Sequence, residues 1–282
     1  MTTLRELLQV GRGALAGRGI DSPGREATRL LALVTGLGEA ALLAADDRPI
    51  EPESAQSYRM LLARRAGGEP MAYLAGEREF FGRTFRVDRR VLIPRPETEH
   101  LVEIALGLPL PERARVLEVG TGSGAIAATL AAERPRWRVV ATDRSLAALA
   151  VARTNAVRLG VAARVSALAA DLAAPLDLAG FDLLLSNPPY VDPAEMAGLP
   201  RDVRDWEPVL ALLSPGGGTR IAERLLEQAR ALRPGAFLAL EHGATQRAEL
   251  LEAARSLGGY ELVEARADLA GLARDVVFRR AA

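Results

Sequence analysis

From residue 115 onward the chain alternates short apolar runs with helical stretches, and this alternation constrains the fold more than any other feature. The runs at 116–119, 139–141, 165–168, 181–185 and 237–240 are too short for buried helices and read as strands. Strands separated in this way by helices pair in parallel and are covered on both faces. Two later runs, at 262–265 and 276–278, lie close enough together to close the sheet as an antiparallel pair. A mainly parallel α/β sheet of seven strands is expected.

The preceding segment has a different period. Thr3, followed three residues later by Glu6, forms a capping box, with Leu4, Leu7 and Leu8 as an apolar stripe. Ser22 is placed to cap a second helix with Pro23 at its first position, and Ala27, Leu30, Leu31, Leu33 and Val34 recur at helical spacing until Gly36 and Gly38 stop it. A third amphipathic stretch covers 52–65, before Gly67, Gly68 and Pro70. Between Phe80 and Ile93 the apolar residues are arranged around Gly82 and Asp88-Arg89-Arg90, which suggests a β-hairpin. A chain of 282 residues fits one large domain plus a smaller one. The expected division is a helical bundle over 1–75, a β-hairpin linker over 76–94 and the α/β domain over 95–282.

Charge and composition narrow the function classes. Thirty-six basic and 36 acidic residues cancel, so no global basic field marks a nucleic-acid binder. Arg64-Arg65, Arg89-Arg90 and Arg279-Arg280 are short clusters that read as solvated surface. The absence of cysteine excludes disulfides, thiol catalysis and cysteine-ligated metals, and with only His100 and His242 no metal site is expected. His242 reads as structural. The N-terminal stretch has no leader-like apolar core and no later segment reaches membrane-spanning length, so a cytoplasmic protein without a membrane partner is expected.

The chemistry gathers where strands end. Glu118-Val119-Gly120-Thr121-Gly122-Ser123-Gly124 closes the first strand of the sheet and opens a helix. Its glycines let the backbone turn sharply and let a ligand approach the main chain and the helix N-terminus. A dinucleotide would suit that loop equally, and a tight structural turn without a ligand is the plainer alternative. Asp143 ends the second strand, where a carboxylate can accept hydrogen bonds from both ribose hydroxyls or cap the helix near Ser145. Asp171 and Leu172 follow the third strand, where a polar group could meet an adenine amino group and an apolar one could pack on the ring. By itself Asp171 also reads as a turn residue.

Ser186-Asn187-Pro188-Pro189-Tyr190 ends the fourth strand, beside the glycine loop at the open edge of the sheet. Consecutive prolines fix the backbone and leave its carbonyls free as acceptors. An amide or exocyclic amine is a poor nucleophile because its lone pair is delocalised, and its N–H groups need acceptors that hold the nitrogen in line for reaction. The Asn187 oxygen and the Pro188 carbonyl can supply them, and Tyr190 can pack on the planar group.

With these segments the chain resembles the class I S-adenosylmethionine-dependent methyltransferases, and among them the release-factor glutamine methyltransferases of the PrmC/HemK type. The narrower resemblance adds Glu69 to Gly76, Phe80 to Phe85, Val91 to Glu99, Trp206 to Leu212, Glu241-His242-Gly243 with Gln246, and Asp268-Leu269-Ala270-Gly271, so it spans nearly the whole chain. It implies a Rossmann-like fold, S-adenosyl-L-methionine as cofactor, and release factors as protein substrates, methylated on the glutamine of their Gly-Gly-Gln loop and recognised with help from the N-terminal helices. Carried over by position, Gly120, Thr121, Gly122, Ser123, Gly124, Asp143, Leu172 and Asn187 would hold the cofactor, with Asp171 joining the adenine pocket. Asn187, Pro188, Pro189 and Tyr190 would hold the glutamine, Asn187, Pro188 and Tyr190 carrying the catalytic roles. The segment from Arg95 to Glu99 would roof the site, or serve as a connector in which Thr98 caps a helix. One departure stands out: after Ala211 the family has a Gly-Gly-x-Asp-Gly-Leu run, whereas this chain reads Leu212-Leu213-Ser214-Pro215-Gly216-Gly217-Gly218-Thr219.

Asparagine followed by Pro-Pro-Tyr also serves enzymes that methylate exocyclic amines of RNA or DNA, which is the competing reading. The balanced charge argues against it, and no stable nucleic-acid partner is expected. An inactive module docking on a translation factor would have no need of an intact glycine loop and an intact Asn187 segment.

Overall fold

The computed structural model describes residues 2–44, 47–174, 176–268 and 270–282, so Leu269 of the Asp268 to Gly271 motif lies outside the described residues. The chain forms two compact units, Met1–Gly76 with Pro200–Trp206, and Glu77–Leu199 with Glu207–Ala282.

The smaller unit is helical: α1 (Leu4–Leu15), α2 (Pro23–Thr35), α3 (Glu39–Ala44), α4 (Pro52–Ala66) and α5 (Met71–Ala75), with one helical turn, Arg201–Arg204, from the returning segment. The capping box forms, the Thr3 hydroxyl accepting from the Glu6 amide at 3.2 Å and the Glu6 carboxylate accepting from the Thr3 amide at 3.0 Å. Ser22 makes no side-chain cap, so α2 starts on the preset φ of Pro23 and ends at Gly36 with φ +71°. Leu4, Leu7, Leu30, Leu31, Tyr58 and Leu62 fill the core. Arg65 is no solvated side chain: it is 7% exposed, paired with Glu26 and donating to the Glu69 carbonyl, which ties α4 to α2. Gly68, at φ +97°, admits the side chains of Arg201 and Trp206.

In the larger unit, β1 (Glu77–Phe80) and β2 (Arg83–Arg86) form the hairpin about Phe81 and Gly82, both at positive φ. Its strands stop at Arg86, short of 93, because Asp88 closes a turn by accepting from the Arg90 amide and guanidinium. There follow α6 (Glu99–Gly107), β3 (Arg115–Val119), α7 (Ala125–Glu133), β4 (Arg138–Asp143), α8 (Leu146–Arg158), β5 (Val165–Ala169), β6 (Leu183–Ser186), α9 (Arg220–Ala229), β7 (Phe237–Glu241), α10 (Arg247–Leu257), β8 (Tyr260–Ala267) and β9 (Ala273–Arg280). The seven-stranded sheet has the order β5-β4-β3-β6-β7-β9-β8, parallel through β7 and antiparallel at β9 and β8. Every residue of β6 and β7 is buried, and apolar clusters on the two faces of the sheet explain why these strands are continuous apolar runs. The chain moves outward from β3 to β5 and then returns to β6 on the other side of β3, which opens a crevice at the carboxyl ends of these strands.

Candidate active site

Register places the site. Val119 at the end of β3 pairs with Thr142 of β4 and Ser186 of β6, so the glycine loop, Asp143 and Asn187 leave the sheet side by side. The Ser186 hydroxyl donates to the Val119 carbonyl at 2.7 Å, which locks the Asn187 segment to the glycine-loop strand.

Gly120, Gly122 and Gly124 all have positive φ, and a Cβ on Gly124 would come within 3.0 Å of Ala152 in α8. Beneath the loop, Glu118 is 1% exposed and accepts from the Thr121 hydroxyl at 2.6 Å and the Ala127 amide at 3.1 Å. Burial pushes its carboxyl up to about 8, against the opposing effect of those donors. Asp143 bridges two segments, accepting from the Gly122 amide at 2.9 Å and the Ser145 amide at 2.8 Å, while Ser145 caps α8 by accepting from the Ala148 amide.

Gly120, Gly122, Asp143, Asp171, Leu172, Asn187 and Pro189 line one cavity together with Val91, Leu92, Leu210, Ile221 and Arg224. The other residues expected from the sequence are not among the residues that line this cavity. Thr121 turns to Glu118, and the Ser123 carbonyl accepts from Asn155. Gly124 packs on α8, Pro188 is buried, and Tyr190 is held by its carbonyl, which accepts from Gln246 at 2.8 Å. Burial pushes the Tyr190 phenol up to about 12. Asp171 is exposed and paired with Arg224 at 2.7 Å, while Leu172 adopts φ +56° with its carbonyl accepting from the Thr142 hydroxyl.

The Arg95 to Glu99 segment is anchored at each charged end: Arg95 pairs with buried Glu207 at 2.6 Å, and the Glu99 carboxylate accepts from the Phe81 amide. Thr98 precedes α6 but makes no cap bond. Its oxygen instead accepts from the Asn187 side-chain nitrogen at 3.0 Å. Burial pushes Glu241 up to about 8 and Asp275, its partner across β7 and β9, to about 7. Burial holds the His242 ring below its ordinary value, and the ring is bonded to the Gly243 carbonyl.

Residues 6–76 match the PrmC N-terminal domain and residues 99–199 match the Methyltransferase small domain. The release factor glutamine methyltransferase of Nitratidesulfovibrio vulgaris is 43% identical over 281 residues, covering 99% of this chain and 95% of that protein. The protein of the same name from Cereibacter sphaeroides is 48% identical over 262 residues, covering 92% and 88%. The chain belongs to the release factor glutamine methyltransferase family. The fold is more widely shared. The hMettl16 catalytic domain in complex with MAT2A 3′UTR hairpin 6 has a TM-score of 0.58 at 20% identity, covering 78% of this chain and 81% of that one. A methyltransferase from Pyrococcus furiosus has a TM-score of 0.54 at 21% identity, covering 80% and 100%. At such identities the likeness concerns the class I methyltransferase sheet alone.

Within the glutamine methyltransferase family pattern, the departing loop keeps its connection to the site. Gly216, Gly217 and Gly218 have positive φ, the Gly217 amide donates to Asp192, and Gln246 donates to the carbonyls of both Gly217 and Tyr190. Sequence reasoning gave no role to Glu118, Glu241 or Arg224. A carboxylate inside an otherwise apolar strand was the available signal for the first two, whereas Arg224 meets Asp171 only through the packing of α9.

Proposed function

We propose that this protein transfers a methyl group from S-adenosyl-L-methionine to the side-chain amide nitrogen of the glutamine in the Gly-Gly-Gln motif of release factors. The observation that carries this reading is the side-by-side exit of the glycine loop, Asp143 and the Asn187 segment from β3, β4 and β6. The crevice suits the cofactor: each Asp143 oxygen keeps a lone pair for a ribose hydroxyl beyond its backbone donor, and Leu172 offers an apolar surface at the wall. Gly120, Gly122, Asp143, Leu172 and Asn187 would hold it, with Thr121, Ser123 and Gly124 shaping the loop and Asp171 at the rim. When bound, its sulfonium supplies an already activated methyl group.

The protein's part is alignment. The Asn187 oxygen and the Pro188 carbonyl accept the two N–H bonds of the substrate amide, Pro189 shapes the wall, and Tyr190 packs on the amide plane. The amide nitrogen becomes acidic as it is alkylated and loses its proton to an acceptor or to water, so no strong base is required. The domain over 1–75 serves capture of the protein substrate, the linker over 76–94 leads from it, and 95–282 carries cofactor and chemistry. The test is labelled cofactor offered in parallel to a release factor, the same factor with its Gly-Gly-Gln glutamine replaced, ribosomal RNA and DNA. Label in the intact factor alone is expected. Transfer to nucleic acid alone would establish the competing exocyclic-amine reading.

A further inference from the structure

An aspartate on an exposed turn reads a ligand poorly unless something fixes its carboxylate, because its side-chain torsions turn freely in water. Asp171 stands on such a turn after β5, its side chain 59% exposed at the rim of the crevice. We propose that Arg224 is a specificity-determining residue for the cofactor base, holding the Asp171 carboxylate where it accepts from the exocyclic amine of adenine. This role rests on the reading of the crevice as the S-adenosyl-L-methionine site.

The backbone of that turn is held from three sides. Register pairs Asp143 with Ala169 at the ends of β4 and β5, and the Ala170 amide donates to the Asp143 carbonyl at 3.1 Å. The carboxylate suited to a ribose and the one suited to a base therefore arrive side by side. Leu172 adopts φ +56°, a conformation that a bulky side chain keeps only when its surroundings impose it. The Thr142 hydroxyl donates to the Leu172 carbonyl at 2.9 Å, and the Gln228 side-chain oxygen accepts from the next amide, that of Ala173, at 3.0 Å. With the backbone fixed, Arg224 fixes the side chain. It lies four residues before Gln228 on the same face of α9, and its Nη2 donates to Asp171 Oδ2 at 2.7 Å. The direction of that bond follows from the donor, since a guanidinium only donates and keeps its charge at every ordinary pH. Oδ1 is left to accept from a ligand N–H. Asp171 and Arg224 line the crevice together with Leu172 and Ile221, so the paired carboxylate stands beside apolar side chains on which a planar base can pack. An exposed ion pair contributes little to stability, which leaves orientation as what this one supplies. Arg224 is therefore a positioning residue that acts through Asp171.

The test is isothermal titration calorimetry with S-adenosylhomocysteine and with its deaminated analogue S-inosylhomocysteine, in which a carbonyl oxygen replaces the exocyclic amine. A carboxylate accepts from the amine and repels the carbonyl, so the wild-type protein should prefer the adenosyl ligand about 10- to 100-fold. Arg224→Met keeps much of the side-chain bulk and removes the charge. It should cut that preference at least about fivefold, while the thermal unfolding midpoint moves by less than about 2 °C. In the Asp171→Ala background, where the acceptor is gone, Arg224→Met should leave the ratio of affinities unchanged. The altered ring N1 of the analogue is common to every variant, so the change in ratio isolates the exocyclic edge. A wild-type ratio in Arg224→Met would overturn the proposal. So would a further change of ratio when Arg224→Met is added to Asp171→Ala, since Arg224 would then meet the base by itself. A wild-type protein that binds both ligands equally would refute Asp171 as the acceptor for the base, and one that binds neither would refute the cofactor reading, each taking this role with it.

Discussion

At the scale of single residues, Asn187 would concentrate two tasks: in the proposed reaction its oxygen serves the substrate, while its nitrogen is bonded to Thr98. Asn187→Ala should lower single-turnover methyl transfer about a hundredfold to a thousandfold, the scale seen when one positioned polar partner is lost from a shielded site. Thermal unfolding should show a stability change of no more than about 1–2 kcal/mol, since a residue at the edge of the site packs little core. Near-normal transfer by a folded Asn187→Ala protein would remove it from the mechanism. Gly218 is the opposite kind of residue, without a polar side chain yet intolerant of change. It sits at φ +84°, and a Cβ there would lie 2.2 Å from the Tyr190 carbonyl oxygen and from the Gln246 nitrogen. Gly218→Ala should cost about 1–3 kcal/mol in urea unfolding and also reduce turnover, because relief of the clash moves Tyr190. An alanine variant of wild-type stability and rate would show that the loop is free to move away.

Among elements, the pairing of α2 with α4 is the most exposed to a single substitution. Arg65 and Glu26 meet with the arginine side chain 8% exposed and the glutamate 20% exposed. A buried pair contributes little net energy when intact but is costly to break, because one charge stays desolvated. Arg65→Ala should therefore destabilise the helical unit by about 3 kcal/mol or more, while the double change with Glu26→Gln recovers part of the loss. Chemical unfolding followed at Tyr58, which is buried in that unit, would check this. An additive double variant would mean that the lost packing of the arginine stem, and not the stranded charge, dominates. In the sheet, the corresponding vulnerability lies at the strand ends, where Ser186 ties β6 to β3 and Thr142 ties β4 to Leu172.

For the whole molecule, three buried carboxyls shape the response to pH. Glu118 and Glu241 stand at about 8 and Asp275 at about 7, each raised first by burial from ordinary values of 4.5, 4.5 and 3.8. The folded protein thus holds protons that the unfolded chain releases, so this contribution to stability is complete below about 4.5 and is lost as pH rises through about 8. His242, lowered by burial from 6.5, works in the opposite direction below that value. The three carboxyls outnumber it, and the unfolding midpoint in urea should fall between pH 5.5 and 8.5, with Glu118→Gln flattening the slope. A midpoint that rises over that interval would mean that these groups ionise without penalty in the fold. Residues 1–75 belong to the unit that lacks the glycine loop, so their removal should weaken release-factor capture more than cofactor binding. Equal loss of both in a folded truncated protein would count against that division of labour.

Period and punctuation in the sequence by themselves determined the helical first segment, the seven strands, the Thr3 capping box and the glycine loop at the end of the first strand of the sheet, because these follow from local backbone preference and burial on one or both faces. The candidate residues at strand ends were legible for the same reason: parallel strands deliver their carboxyl ends to one edge. Tertiary structure alone decided which of them line the cavity and which do not. Thr121, Ser123 and Gly124 belong to the loop in sequence, but Thr121 turns back to Glu118 of the preceding strand, and Ser123 and Gly124 meet Asn155 and Ala152 of α8, a helix further along the chain. Ser22 is a cap by sequence pattern and makes no cap bond, whereas Arg65 looked like solvated surface and is buried against Glu26. Thr98 looked like a helix cap, and its hydroxyl oxygen instead accepts from the Asn187 side chain, 89 residues away. A hydrogen bond between side chains so far apart leaves no periodic trace in the sequence, since its strength depends on the packing that brings the partners together and excludes water.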